Sequence, residues 1–302
     1  MADGLLVAVR LALYADLGLL FGMPLFALYA LRREQRGLLP VATLSAVLAV
    51  GGIAFSLLGF ALLVAAMSGT TLRELDPAMV RMLMTQTAVG WAFLGRVAAL
   101  MLILALSLIR PRLWLLALSG GIAVATLAWS GHGASSEGAA GVAHLGADIA
   151  HLLAASAWIG ALAMFLMLVS PQHDVSRDRL EAAHAALAGF GTAGTLFVGI
   201  IVATGLVNGL FVVGADKLLL LGRSLYGQLL LAKLLLFGAM LACAALNRFR
   251  LTPRLADAIA QGATAQALAG LRRSLAVEAG LAILILGLVG WLGTLEPPMT
   301  GV

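Results

Sequence analysis

Eight apolar runs of membrane-spanning length succeed one another along this 302-residue chain, at about 5–31, 38–67, 87–109, 113–130, 144–169, 185–213, 225–247 and 274–294. Roughly 20 apolar residues carry a helix across the ~30 Å hydrocarbon core of a bilayer. The sequence therefore predicts an all-α polytopic membrane protein, with residues 1–302 forming a single transmembrane domain of eight helices. Composition leaves little room for a soluble domain. Hydrophobic residues make up 62% and charged residues 11%, with a mean hydropathy of +1.05, whereas a soluble domain carries about 25% charged residues. The first run, from about Leu5 to Leu31, outlasts the apolar region of a cleavable signal and reads as the first span.

The net charge of +5 and the pI near 10.1 follow from topology. No basic stripe with interleaved aromatics is present, so nucleic acid is not an expected partner. Lys and Arg accumulate in the cytoplasmic loops of membrane proteins. Twelve occupy one set of alternate loops: Arg32, Arg33, Arg36, Arg110, Arg112, Arg177, Arg179, Arg248, Arg250, Arg254, Arg272 and Arg273. The opposite loops hold four, Arg73, Arg81, Lys217 and Arg223. With eight spans, both termini are then expected on the periplasmic side. The segment 249–273 has helical composition and is expected to lie along the membrane surface. Gly18 with Gly22, and Gly205 with Gly209, have GxxxG spacing, and Gly287, Gly290 and Gly293 stripe the last span. Such small residues let backbones approach where lipid offers little hydrophobic drive between helices. A faint internal echo pairs Gly90, followed six residues on by Arg96, with Gly227, followed six residues on by Lys233. Parallel four-plus-four repeats of this kind occur in transporters. The lone Cys243 excludes an internal disulfide and a multi-thiolate metal site.

Polar groups inside the spans carry the functional argument. A charge at the centre of a membrane helix costs on the order of 3 kcal/mol on insertion scales. Arg10, Asp16, Arg96, Asp148, Lys233 and Glu278 bear that cost. Arg10 lies near a helix end and can snorkel. Asp16, Arg96, Lys233 and Glu278 read either as ion pairs holding the bundle or as a relay for ions or protons. The histidines cluster. His173 and His184 fall at a cytoplasmic loop and helix start, whereas His132, His144 and His151 gather at the outer ends of spans four and five. His144, Asp148 and His151, at i, i+4 and i+7, keep within a stripe of about 60° on one helix. Imidazole is the commonest metal ligand, so His132, His144 and His151 are candidate ligands, with Asp148 placed to orient a ligand imidazole. The competing reading is polar capping of helix ends at the interface. His144 and His151 lie about 10 Å apart along the axis, so they either share one ion with opposed rotamers or act as successive stations. Met79, Met82 and Met84 lie in the outer loop that follows span two. Thioethers are soft ligands that favour Cu(I), so these three are possible copper-capture groups or one face of a short interfacial helix.

Taken together, Ser-Gly-His-Gly at 130–133, His-x3-Asp-x2-His at 144–151, Trp158-Ile159-Gly160 and Gly205-Leu206-Val207-Asn208-Gly209 form a recognisable series. It continues through Tyr226-Gly227 with Lys233, Asn247-Arg248, and Arg273-Ser274 with Glu278. From about 129 to 293 the chain resembles the bacterial CopD copper-resistance family of inner-membrane proteins. The first four spans match mainly in hydropathy. The resemblance implies a copper ion as the bound metal, in either oxidation state. It further implies uptake from periplasm toward cytoplasm and a separate periplasmic CopC-like copper donor. It leaves oligomeric state open. No Gly-x4-Gly-Lys-Ser/Thr motif is present, so any transport is driven by gradients or metal handover. No activated nucleophile sits beside a base, so the chain is not expected to be an enzyme. Two other readings stay open: a b-type haem electron carrier, since membrane histidines also ligate haem, and a copper sensor or delivery factor that does not transport.

Overall fold

The structure is a computed structural model describing residues 2–130, 138–170, 176–214 and 218–296. Ten α-helices follow in order: α1 (Ala2–Tyr29), α2 (Val41–Ser68), α3 (Pro77–Gln86), α4 (Ala88–Ile109), α5 (Leu113–Ala125), α6 (Gly138–Leu168), α7 (Arg177–Val212), α8 (Leu225–Leu246), α9 (Thr252–Gln261) and α10 (Thr264–Leu292). Eight segments are long and apolar enough to cross a membrane, and no strand occurs among the described residues. Helices α6, α7 and α10 begin before the apolar runs that signal them, by six to ten residues. Hydropathy detects the part of a helix that lipid requires to be apolar, while the helix itself continues past it. The basic segment after α8 is helical throughout most of its length, as α9 and the first turns of α10.

Helices α1 and α6 cross at the centre of the molecule. Gly18 lies 3.4 Å, by its missing Cβ, from the Ser156 hydroxyl, and Gly22 meets Gly160 backbone to backbone. The two helices therefore run parallel, and a Cβ on either Gly22 or Gly160 would overlap the other helix. This is the close approach through small residues that helices in lipid need. Of the α7 pair, Gly205 faces His151 and Gly209 faces open space. Around the crossing, Phe26 packs edge-on against Phe165 with centroids 4.9 Å apart, and Trp158 and Leu168 are fully buried.

Arginines of the basic segments finish helix C-termini on one face. Arg36 donates to the Ala27 and Leu28 carbonyls at the end of α1, at 3.1 and 2.9 Å. Arg179 donates to Met167 O and Arg272 to Val169 O at the end of α6. Terminal carbonyls have no partner within their own helix, and a cation there also suits the helix dipole. The face bearing these segments is called the arginine-rich face below.

The internal echo has a structural counterpart. Thr87 caps α4 by accepting from Gly90 N–H at 3.0 Å, and Ser224 caps α8 by accepting from Gly227 N–H at 3.1 Å. Each glycine lies against backbone of the preceding short helix, Leu83 and Met84 in one case and Leu221 in the other. The halves differ elsewhere. Helix α2 packs along α4, whereas α7 packs on α6 and has no comparable contact with α8.

Candidate metal site

Helices α6 and α7 meet in antiparallel register in the half of the bundle remote from the arginine-rich face. His144 is buried, and its ring stacks on Phe211 with centroids 4.7 Å apart and planes 5° from parallel. One turn on, Asp148 Oδ1 accepts from Asn208 Nδ2 at 3.3 Å. After another turn, His151 Nδ1 lies 3.0 Å from Thr204 Oγ1. Thus the stripe 144, 148, 151 on α6 is answered by 204, 208, 211 on α7, which has the same i, i+4, i+7 spacing. Thr204 and Phe211 had no role in the sequence reading and Asn208 entered it only within the motif Gly205–Gly209; the matching periodicity is the signal that marks all three.

The hydrogen bonds fix the chemistry of His151. Thr204 gives its single hydroxyl hydrogen to the Ile200 carbonyl at 2.6 Å, the usual back-bond of a helical threonine. Toward His151 the oxygen must therefore accept, so Nδ1 carries the imidazole proton and Nε2 keeps its lone pair. The Ile201 carbonyl, 3.4 Å from the same hydroxyl, is a second acceptor beside this ring. A neutral imidazole held by one nitrogen and open at the other is the form that ligates metal. Around it, Asn208 Oδ1 is buried without a hydrogen-bond partner. Lys233 of α8 acts electrostatically on both Asp148 and His151, and Asp148 acts on Tyr14 of α1. Lys233 stays beyond ion-pair contact: among the described residues the only such pair is Arg177–Glu181, exposed on α7. Asp148 takes its hydrogen bond from α7, not from either neighbouring imidazole. Among the described residues no three His, Cys, Asp or Glu converge on one point. His132, the third expected ligand, lies outside them.

The other candidates occupy separate places. Met79 and Met84 on α3 pack against the cluster of Phe60, Val64, Leu83 and Phe93, while Met82 is 38% exposed. Helix α3 is started by Asp76, which accepts from Ala78 N–H at 2.9 Å, with Pro77 at its first turn. Asp16 is buried between α1 and the glycine pair Gly51 and Gly52 of α2, and its Oδ2 has no hydrogen-bond partner. Arg96 on α4 is buried with Nε and Nη1 likewise unsatisfied. Glu278 is buried toward the arginine-rich face and accepts from Trp158 Nε1 and Asn247 Nδ2, both at 2.9 Å. Among the described residues Asp148 and Glu278 are met by neutral donors and Lys233 by longer-range electrostatics, none of them by a contact ion pair, while Asp16 and Arg96 keep unsatisfied atoms.

Residues 184–292 match the family model described as copper resistance protein D, and residues 1–142 match the copper resistance protein D-like N-terminal domain. Over 307 aligned positions the chain is 42% identical to copper resistance protein D of Pseudomonas syringae pv. tomato, covering 99% of each protein. The chain belongs to the copper resistance protein D family. The likeness extends over the first four spans as well, beyond the hydropathy that the sequence reading credited to them. Inner membrane protein YebZ of Escherichia coli (strain K12) is 31% identical over 175 residues, 56% of this chain and 57% of that protein. No solved structure matches. Family membership and eight apolar helices make this a copper-related, multi-pass inner-membrane protein. Thr204, Asn208, Lys233, Asn247 and Glu278 fall inside the copper resistance protein D match, whereas His144, Asp148, His151 and Trp158 lie between the two matched regions.

Proposed function

We propose that the protein binds copper at the α6–α7 stripe and carries it across the inner membrane, from periplasm toward cytoplasm, without transforming it chemically. The observation that supports this reading most directly is the His151–Thr204 hydrogen bond, which leaves Nε2 its lone pair for a ligand bond on the stripe that also carries Asp148. His132 and His144 complete the proposed ligand set, and Asp148, bonded to Asn208 between the two imidazoles of the stripe, balances cationic charge. Copper is the cargo in this reading. The exposed Met82, with Met79 and Met84 beside it, offers soft sulfur for capture on the outer side. A periplasmic CopC-like protein is the proposed donor, and the bias of twelve basic residues against four sets the orientation. Asp16, Arg96, Lys233 and Glu278 supply charges along the way, as a relay that compensates the moving ion.

The test is metal analysis of the purified protein followed by copper flux in proteoliposomes. Replacement of His132, His144 and His151 together by Ala is expected to remove high-affinity copper binding while the protein still inserts and folds. Unchanged copper stoichiometry in that variant would reject the site. A Soret band would point to haem instead, and copper binding without flux would identify a sensor or delivery factor.

A further inference from the structure

The half of the bundle nearer the arginine-rich face encloses a cavity of about 230 Å³ between α6, α7, α8 and α10. A water takes about 30 Å³ in the liquid, so several fit. The wall is largely apolar, and its polar groups are Thr195, Asn247, Arg248, Thr252 and Glu278. The cavity reaches the surface beside Arg248 and Phe249, both exposed. Part of its wall is the π-helical turn Asn247–Leu251 that follows α8, where both the N–H and the hydroxyl of Thr252 go to the Asn247 carbonyl. Such turns recur at functional sites because they displace one side chain from the regular helical path. Here the displaced amide faces Glu278.

Glu278 is 2% exposed. Its two hydrogen bonds come from neutral donors, Trp158 Nε1 and Asn247 Nδ2. Among the described residues no Lys, Arg or His reaches it within ion-pair distance. The charged and titratable groups around it are few. Cys243, one turn before Asn247 on α8, is electrostatically coupled to it. Arg248 lines the same cavity but gives its guanidinium to Gly191 O and Thr195 Oγ1 of α7, at 2.9 and 3.0 Å. On α9, Arg254 and Asp257 are exposed. On α10, Arg272 is bonded to Val169 O and Arg273 is exposed. Helix α1 brings Arg10 only to the far end of α10, beside Gly293. A buried carboxylate with no cation against it is costly as an anion. The positive partner must come from outside the chain.

The donors say which partner fits. An indole N–H only donates, so Trp158 keeps Oε1 an acceptor in every state and leaves Oε2 as the one oxygen open to a proton. The amide facing Oε2 can serve both forms. Its Nδ2 donates to the carboxylate, and after rotation its Oδ1 accepts from Oε2–H. That Oδ1 is buried and has no hydrogen-bond partner, on a residue 6% exposed at the cavity wall.

We propose that Glu278 is a proton-binding site, filled through this cavity from the arginine-rich face, with Asn247 reversing its amide as the proton arrives. In that step hydronium in the cavity gives its proton to Oε2 and becomes water. Release is the reverse, and no other bond changes. The site stands independently of the copper reading.

The test is infrared difference spectroscopy between acid and alkaline buffer, on the full-length protein in liposomes without copper. The expected result is a protonated-carboxyl band that appears on acidification in wild type and is missing from E278Q. N247A retains Glu278 and should keep the band but move it to higher frequency, because the acid proton has lost its acceptor. In liposomes of one orientation, acidifying the arginine-rich side should raise the band and acidifying the other side should not. The proposal falls if wild type shows no such band, if E278Q keeps it, or if only the opposite face controls it. An unmoved band in N247A overturns the amide reversal. Loss of the band on adding sodium at fixed pH would make the occupant a metal cation and overturn the proton. Since copper is absent throughout, none of these results bears on the copper site.

Discussion

Thr204→Val removes one oxygen and little volume, and so isolates the bond that fixes His151. The hydroxyl makes two hydrogen bonds. The one it donates to Ile200 O is local to α7 and dispensable, because that carbonyl also belongs to the main-chain ladder. The one it accepts from His151 Nδ1, at 3.0 Å, holds the ring and its tautomer. Loss of a group that orients a ligand imidazole weakens metal binding by about 10–100-fold. At about 1.4 kcal/mol per factor of ten, that is ~1.4–2.8 kcal/mol. The Ile201 carbonyl remains beside the ring as a substitute acceptor, so the expected loss is nearer the lower bound, about tenfold. Stability should change by about 1 kcal/mol, the net worth of a neutral hydrogen bond. The assay is a copper titration of wild type, Thr204→Val and His151→Ala, with a melting curve for each. If His151→Ala loses affinity while Thr204→Val keeps that of wild type, the hydroxyl does not set the imidazole. If all three bind equally, His151 is not a ligand.

Asp148→Asn keeps the shape and the contact with Asn208 but removes the charge that Lys233 feels, and is expected to weaken copper binding by about 10–100-fold. Wild-type affinity with a lowered melting temperature would make Asp148 a structural group. Gly160→Leu drives a side chain into the backbone of α1 at Gly22 and should destabilise by about 1–3 kcal/mol or more, the usual range for overpacking. A melting temperature equal to wild type would contradict the α1–α6 crossing. Single cysteines at Thr71 should react with an impermeant reagent from the periplasmic side, and those at Gln35 and Gln261 should not. Outside labelling at Gln35 would reverse the orientation.

Much of the fold was legible in the chain because a bilayer reads one variable. Lipid cannot hydrogen-bond, so each crossing must be helical and apolar over a fixed length. Hydropathy alone therefore yields eight crossings and their order, and Gly18 and Gly22 announce a close helix contact. The sequence does not say which helix those glycines meet, because a small residue specifies distance of approach and not identity of partner. Only packing matches Gly22 to Gly160, 138 positions later. The candidate site divides in the same way. The stripe of His144, Asp148 and His151 follows from helical periodicity within one element. Its hydrogen-bond partners Thr204 and Asn208 come from the next, in a register that the turn between α6 and α7 alone does not set. Likewise Glu278 is visible in the sequence as an intramembrane charge. That its partners are an indole and an amide, 120 and 31 positions away, is decided by how α6, α8 and α10 pack, since a buried carboxylate takes whichever donors the tertiary structure brings within 3 Å.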